Sequence, residues 1–300
     1  MIALLDAASN LGLKRPAPNR EPGVRYAPWQ LRQLGLATRL GARDAGTVLV
    51  PAYTGERDAA TGVLHAPLLR RCALDVAEAL GPILERGEQP LLLGGDCSIL
   101  GGALLALRRR GRHGLLFIDG HRDLLTPERA QHGAAAGMDL AFALGHGPES
   151  LVSLGGYRPL VDAHDVALVG YRDRDHWYAP ELLQLQREAM HCADVATLRG
   201  EGIERAVGSR VGELRASGVD GLWIHVDADV LDPVPMPAVD CPEPGGLTID
   251  ELVRVLDIAC ASGQVAGMQL TNYDPELDPD RRCGHALVEL LGRGLARLCG

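Results

Sequence analysis

Four apolar residues run directly into a polar cluster in the stretch Leu115-Leu-Phe-Ile-Asp-Gly-His-Arg-Asp123. The same order of features recurs at Leu222-Trp-Ile-His-Val-Asp-Ala-Asp-Val-Leu-Asp-Pro233 and at Pro90-Leu-Leu-Leu-Gly-Gly-Asp-Cys-Ser98. Continuous apolar runs are typical of strands that are covered on both faces of a parallel sheet. Open α/β sheets bind ligands at the loops that follow such strands. The three stretches therefore predict an α/β fold with functional residues at the strand ends.

The rest of the chain alternates between short apolar runs and longer helical patterns, which is typical of βα repeats. Strands are predicted at residues 47–50, 90–93, 115–118, 166–169, 221–226 and 266–270. Helices are predicted at residues 68–86, 98–110, 180–190, 203–216, 249–262 and 284–298. Since repeats and linkers are absent from the 300 residues, we expect a single domain, residues 1–300.

The overall composition argues against several classes of protein. A formal net charge of -9 is unlike that of nucleic-acid binders, which normally carry a basic face. The sequence has no apolar run long enough for a membrane span and no signal-peptide pattern at its start. Its 7 cysteines are scattered and form no CxxC pair, which fits a reducing compartment. We therefore expect a cytoplasmic protein without nucleic-acid or membrane partners.

The carboxylates after the apolar runs require compensation, because charges at the ends of buried strands are costly to desolvate. On an extended chain Asp119, His121 and Asp123 share one face, and so do Asp227 and Asp229. A pair of divalent cations would neutralise them, and carboxylates with an imidazole suit Mn²⁺ or a similar ion. The alternative is that the DxHxD and DxD patterns are solvated turns.

The motifs GGDCS, DGHRD and DADVLDP resemble, in order and separation, the GGDHS, DAHxD and DxDxxDP motifs of arginases, agmatinases and formiminoglutamases. The resemblance extends from Gly23 through Gly170-Tyr-Arg-Asp-Arg-Asp175 and Pro242-Glu-Pro-Gly-Gly-Leu247 to Asn272-Tyr-Asp-Pro275. It implies an arginase-like three-layer α/β/α sandwich with a mostly parallel central sheet. It also implies a metal-dependent hydrolase that cleaves a guanidino-type C–N bond of a small molecule, usually releasing urea.

The resemblance also implies a role for each motif residue. Hydroxide generated between two metal ions would attack the guanidinium carbon, and Asp123 would orient it and carry its proton. Relatives commonly form trimers or hexamers, which leaves a homo-oligomer open. The implied ligands are Cys97 and Asp123 on one ion, His121 and Asp229 on the other, and Asp119 and Asp227 bridging both.

Two departures from the family pattern concern the metal ions and proton transfer. Cys97 stands where the family usually has its first histidine ligand, and a thiolate favours Zn²⁺, Fe²⁺ or Co²⁺ over Mn²⁺ at that ion. The alternative is that Cys97 is a neutral buried thiol beside a single metal ion. The later loop reads Ala134-Ala-Ala-Gly137 where arginases carry Asn-x-His-Gly. His132, slightly upstream, is the candidate catalytic histidine, and the alternative is an exposed loop histidine without a catalytic role.

The residues expected to contact the substrate also depart from the family pattern. Asn272 aligns with the glutamate that pairs with the guanidinium, and a neutral amide cannot supply a charge-assisted contact. Cys241 stands where the family often has a threonine beside the substrate, or else it serves only in packing. Asp175 aligns with an aspartate that contacts the substrate's amino end, or else caps the helix that begins near Pro180. The substrate is therefore predicted to differ from plain L-arginine, with an Nω-hydroxyarginine-like or other modified guanidino compound as candidate.

The sequence leaves two other functions open. The substitutions at Cys97 and Asn272 fit a catalytically degenerate, metal-poor relative that serves as a binding or regulatory protein. The histone-deacetylase-like branch of the same fold would use one Zn²⁺, but it needs a tandem His-His motif that this sequence lacks. The metal content of the purified protein separates an intact two-metal enzyme from both alternatives.

Overall fold

The computed structural model describes residues 1–299, in which helices cover both faces of an eight-stranded sheet. The strands are β1 (Ile2–Ala7), β2 (Arg43–Thr47), β3 (Gln89–Gly94), β4 (His113–Ile118), β5 (Val166–Val169), β6 (His191–Ala193), β7 (Gly221–Asp227) and β8 (Val265–Thr271). The helices are α1 (Ala27–Gln33), α2 (Leu36–Leu40), α3 (Ala66–Glu85), α4 (Leu100–Arg108), α5 (Asp139–Ala143), α6 (Glu149–Val152), α7 (Pro180–Ala189), α8 (Val195–Glu201), α9 (Ile203–Ala216), α10 (Ile249–Ala261) and α11 (Arg282–Gly294).

The strands lie in the order β2-β1-β3-β8-β7-β4-β5-β6, and every pair of neighbours is parallel. The predicted three-layer α/β/α fold is therefore confirmed, with a sheet that is entirely parallel. Val226 near the end of β7 pairs with Leu270 of β8 on one side and with Ile118 of β4 on the other. Because these strands are in register, the carboxyl ends of β3, β8, β7 and β4 lie side by side.

Two apolar cores, one on each face of the sheet, hold the layers together. Leu93 and Ile118 belong to one core, whereas Leu92 and Phe117 belong to the other. This alternation follows from the period of two along a strand, and all four side chains are fully buried. Burying one such side chain stabilises the fold by roughly 1.5–3 kcal/mol. Both faces are covered, which is why the central strands are continuously apolar.

The predictions were least accurate at the sheet's edges. The strand predicted at 47–50 is wrong: β2 ends at Thr47, and Leu49 beyond it is 89% exposed. An edge strand keeps one side open to solvent and needs no continuous apolar run, so β2 and the three-residue β6 carry little sequence signal. The apolar run of β1 was also missed because Asp6 interrupts it, and Asp6 is paired there with Arg32.

Several helix boundaries differ from the predicted ones by a few residues. A 3₁₀ turn at Cys97–Ile99 delays α4 to Leu100, and α11 covers Arg282–Gly294 instead of residues 284–298. Within residues 1–299, no helix is both long and apolar enough to cross a bilayer.

Candidate metal centre

The four central strands each deliver a polar side chain to the same end of the sheet. Asp227 ends β7, and Asp119, Cys97 and Asn272 follow β4, β3 and β8. Above them opens a pocket of about 230 Å³, lined in part by His121, Asp123, Asp227, Asp229 and Asn272. The convergence of the three motifs therefore results from the register of parallel neighbours.

Glycines allow the motif loops to approach each other closely. A Cβ on Gly95 would lie 1.7 Å from the carbonyl oxygen of Ser9, and one on Gly120 would lie 2.8 Å from that of Asp229. Asp96 accepts hydrogen bonds from the Ser9 hydroxyl at 2.7 Å and from the Ser98 backbone N–H at 2.8 Å. The Gly-Gly-Asp part of the first motif thus shapes the loop that presents Cys97.

Three overlapping groups of buried side chains have metal-ligating geometry in the described part of the chain. Within each group the candidate ligand atoms lie within 4.8 Å of one another. The groups are Cys97 with Asp119, His225 and Asp227; Cys97 with Asp123 and Asp139; and Asp119 with His121 and Asp123.

Several of these groups' atoms are buried without a hydrogen-bonding partner, among them Oδ2 of Asp119, Nε2 of His121 and both carboxylate oxygens of Asp139. Leaving such atoms unpaired is costly, and divalent cations would satisfy them. The donor set of carboxylates, one imidazole and one thiol therefore fits metal binding.

Cys97 and Asn272 both contact Asp227. The Cys97 thiol donates to Oδ2 of Asp227 at 2.8 Å and lies 3.0 Å from the Thr271 hydroxyl. The Asn272 amide N–H donates to the same carboxylate oxygen at 2.5 Å, while its Oδ1 is buried and unpartnered. Burial, together with the negative charge of Asp227, raises the pKa of Cys97. In the absence of metal, Cys97 is therefore a neutral thiol.

His121 faces the opposite side of the centre. Its Nδ1 lies 3.0 Å from Oδ2 of Asp229 and 3.6 Å from Oδ1 of Asp119. Burial opposes its protonation, but the charge of Asp229 and hydrogen bonds to both carboxylates raise the pKa of His121. Burial and the charges of Asp119 and Asp139 likewise raise the pKa of Asp123. Asp123 also has a φ of 48°, in the left-handed region where a residue other than glycine is strained.

A buried chain of hydrogen bonds fixes the orientation of His225 beside Asp119. Trp223 can only donate, so its Nε1–H, 3.1 Å from Gln269 Oε1, sets the orientation of that amide. The Gln269 Nε2 then donates to Nδ1 of His225 at 2.7 Å, which leaves the His225 proton on Nε2. That Nε2 lies 3.5 Å from Oδ2 of Asp119. In this tautomer His225 has no lone pair left for a metal ion and instead faces the Asp119 carboxylate as a donor.

The similarity to known proteins extends over nearly the whole chain. The model of the arginase family matches residues 15–295. This chain belongs to the arginase family. The arginase of Bacillus subtilis is 28% identical over 289 residues, which cover 94% of this chain and 95% of that protein. The solved structure of arginase from Bacillus caldovelox matches with a TM-score of 0.87 at 25% identity, covering 97% of each chain.

A more distant structure shares the fold alone. The formimidoylglutamase from Bacillus subtilis has a TM-score of 0.77 at 19% identity, covering 99% of this chain and 87% of that one. Members of the arginase family are hydrolases of C–N bonds in linear amidines, and this chain's enzyme class follows from its membership.

The structure brings His132, the predicted catalytic histidine, and two of the three predicted substrate-binding residues to the pocket of this arginase-family chain. His132, Cys241 and Asn272 all line it, and His132 and Cys241 are exposed to solvent there. Asp175 is not among the lining residues, and it pairs with Arg122 at 2.8 Å and with Arg187 at 3.0 Å. Nor does it cap α7, whose N-cap is Ala179. The catalytic role of His132 and the substrate roles of the other three residues stay predictions.

Two residues of the segment after β5 brace the motif loops. The Arg172 guanidinium donates to the carbonyl oxygens of Asp229 at 2.7 Å and Glu243 at 2.6 Å. Asp173 accepts from the Arg122 backbone N–H at 2.9 Å and pairs with its guanidinium. The family pattern marked this segment, but only the folded chain shows which loops it joins.

The sequence analysis did not identify Asp139, which lies in one of the three groups of candidate metal ligands. It is the single charged residue in the apolar run Met138-Asp-Leu-Ala-Phe-Ala-Leu144, and it is 5% exposed. A lone carboxylate in such a run is the signal that could have identified it.

Proposed function

We propose that this chain hydrolyses a guanidino-type C–N bond of a small molecule, releasing an amine together with urea or a urea analogue. One observation carries the proposal: ligand-type side chains from three strand ends converge, buried, beneath one pocket. The converging residues are Cys97, Asp119, His121, Asp123, Asp227 and Asp229.

Two divalent ions fit this centre, with Mn²⁺ the favoured ion and Zn²⁺, Fe²⁺ or Co²⁺ alternatives on the thiol side. The proposed ligands are Cys97 and Asp123 on one ion, His121 and Asp229 on the other, and Asp119 and Asp227 shared between them. When bound, such ions polarise the substrate and make water acidic enough to lose a proton at neutral pH.

The protein's own groups would then handle the proton and orient the substrate. Asp123, buried beside the centre, would accept the proton of the attacking water. His132 at the pocket mouth would exchange that proton with solvent. Asn272 would accept a hydrogen bond from a substrate N–H through its unpartnered Oδ1, and exposed Cys241 would contact the rest of the substrate.

The neutrality of Asn272 supports a modified guanidino substrate. Hydrogen bonds to charged groups are about twice as strong as neutral ones, so an amide holds a guanidinium cation less tightly than a carboxylate does. A hydroxylated guanidino group is less basic than the guanidino group of arginine, so less of it is protonated. Its binding therefore weakens less when an amide replaces the carboxylate. We therefore propose an Nω-hydroxyarginine-like compound as substrate.

The test compares L-arginine, agmatine and Nω-hydroxy-L-arginine with the Mn²⁺-loaded protein, following urea or hydroxyurea and the amine. We expect the highest kcat/KM for the hydroxylated compound. Asp229→Asn removes a proposed ligand and should lower the rate by at least about tenfold. Glu78→Gln, the same carboxylate-to-amide change at a side chain 70% exposed on α3, should leave the rate unchanged.

Two results would contradict parts of the proposal. Faster turnover of arginine or agmatine would overturn the substrate assignment and leave the hydrolase assignment standing. A protein that binds little metal and hydrolyses no amidine would instead support the metal-poor binding or regulatory role.

A further inference from the structure

Asp139, the first residue of α5, is a buried carboxylate without a partner. Its side chain is 5% exposed, and neither carboxylate oxygen has a hydrogen-bonding partner among the described residues. Asp139 also forms no ion pair with an arginine, lysine or histidine in the described structure. A buried carboxylate is costly to keep ionised without a counter-charge, and the described residues offer Asp139 no cationic partner.

The position of Asp139 supplies the explanation. One of its oxygens lies within 4.8 Å of the Cys97 sulfur and of a carboxylate oxygen of Asp123, and these atoms are mutually within the same distance. All three residues are buried. A single cation at their centre would contact all three and would satisfy the unpaired oxygens of Asp139.

Neither histidine near the centre compensates Asp139. His121 lies against Asp229 and Asp119 on the opposite side. His225 carries its proton on Nε2, which faces Asp119, since Gln269 occupies Nδ1. The ion beside Cys97 therefore gains no imidazole from either residue, and Asp139 is the extra donor within reach.

We propose that Asp139 is a ligand of the metal ion that lies between Cys97 and Asp123. This inference rests on the proposed two-metal hydrolase and adds a residue that the family motifs do not include. A thiol is a poor donor to a hard ion such as Mn²⁺. The Asp139 carboxylate supplies a hard oxygen beside the thiol. A ligand from α5 thus compensates for the absence of a histidine ligand at position 97.

The test is calorimetric titration of chelator-treated protein with Mn²⁺ alone, for the wild type and for Asp139→Asn. We expect two ions in the wild type, and in Asp139→Asn one of the two should bind at least about tenfold more weakly. Asp240→Asn is the matched control, because Asp240 lines the same pocket but belongs to none of the ligand groups. Its affinities should change by less than about threefold.

A second readout uses thermal unfolding of the metal-free proteins. Asp139→Asn removes a proposed ligand, so the increase in Tm on adding Mn²⁺ should shrink relative to the wild type. If Asp139→Asn fails to fold, Asp139→Ser carries the same expectation. Two ions bound by Asp139→Asn with wild-type affinity would overturn this inference and leave the proposed function intact. No ion bound by the wild type would overturn both.

Discussion

Cys97 is fully buried beneath the pocket lining, where its thiol donates to Asp227 and packs near Ala136. A thiol must lose its proton before it can bind a metal ion, and burial beside carboxylates opposes that loss. A neutral imidazole at the same place would present a lone pair at neutral pH. The ion beside Cys97 is therefore expected to be the more weakly bound of the two ions in this chain.

Replacing Cys97 tests whether its thiol weakens the binding of the neighbouring metal ion. Cys97→His should strengthen the binding of one of the two Mn²⁺ ions by at least about tenfold. A neutral imidazole can bind the ion without first losing a proton inside the protein. Cys97→Ser is the size-matched control and should give no such gain. The measurement is metal content by elemental analysis, with Mn²⁺ affinity by calorimetry. Equal affinities in wild type and Cys97→His would show that the cysteine does not limit the site.

At the scale of elements, β7 and β8 carry more than the motif residues. Their pairing places His225 opposite Gln269, and the Trp223 indole reaches the same amide from β7. The ring of Phe117 on β4 stacks on His225 at a centroid distance of 4.2 Å. Three neighbouring strands thus hold His225 in one tautomer and one orientation, and Gln269 is the residue that fixes this tautomer.

Gln269→Leu should remove the hydrogen bonds that hold His225 in one tautomer. It leaves the Trp223 N–H and His225 Nδ1 unpaired, and the free energy of unfolding should fall by about 1–3 kcal/mol. Nitrogen NMR of His225 should show the Nε2-protonated tautomer in the wild type and a mixture in the variant. Gln89→Leu, which removes one 3.3 Å hydrogen bond at the amino ends of the strands, should leave the tautomer unchanged. A wild-type His225 protonated on Nδ1 would contradict the assignment.

For the whole molecule, metal binding and folding are coupled through protonation. Burial and the charges of Asp229 and Asp119 raise the pKa of Asp227, and Asp123 and His121 also have raised pKa values in the metal-free protein. A group with a raised pKa contributes stability that is complete below its unfolded pKa and is lost as the pH rises through its folded pKa. Metal ions bind the deprotonated ligands and reverse this loss.

The stabilisation by metal should therefore grow with pH. We expect the difference in Tm between Mn²⁺-loaded and chelator-treated protein to increase from about pH 5 to about pH 8. Taking the difference cancels titrating groups outside the centre, such as His65 and His113, whose pKa values burial lowers. Asp229→Asn is the control, because it weakens binding and should flatten the increase. A difference independent of pH would contradict the coupling.

The sequence alone determined the parallel α/β architecture and the identity of the motif residues at its strand ends. The apolar runs before Asp119 and Asp227 are local patterns, because a strand covered on both faces must be apolar at every position. Edge strands have no such requirement, which is why β2 was placed a few residues late and β6 was missed.

Only the tertiary structure decided which residues meet. It placed β8 between β3 and β7, so that Asn272 contacts Asp227 and Gln269 fixes His225. It also brought Asp139 from α5 to the side of Cys97. These contacts join residues far apart along the chain. Their proximity depends on strand order and helix packing, which periodicity along the chain does not record.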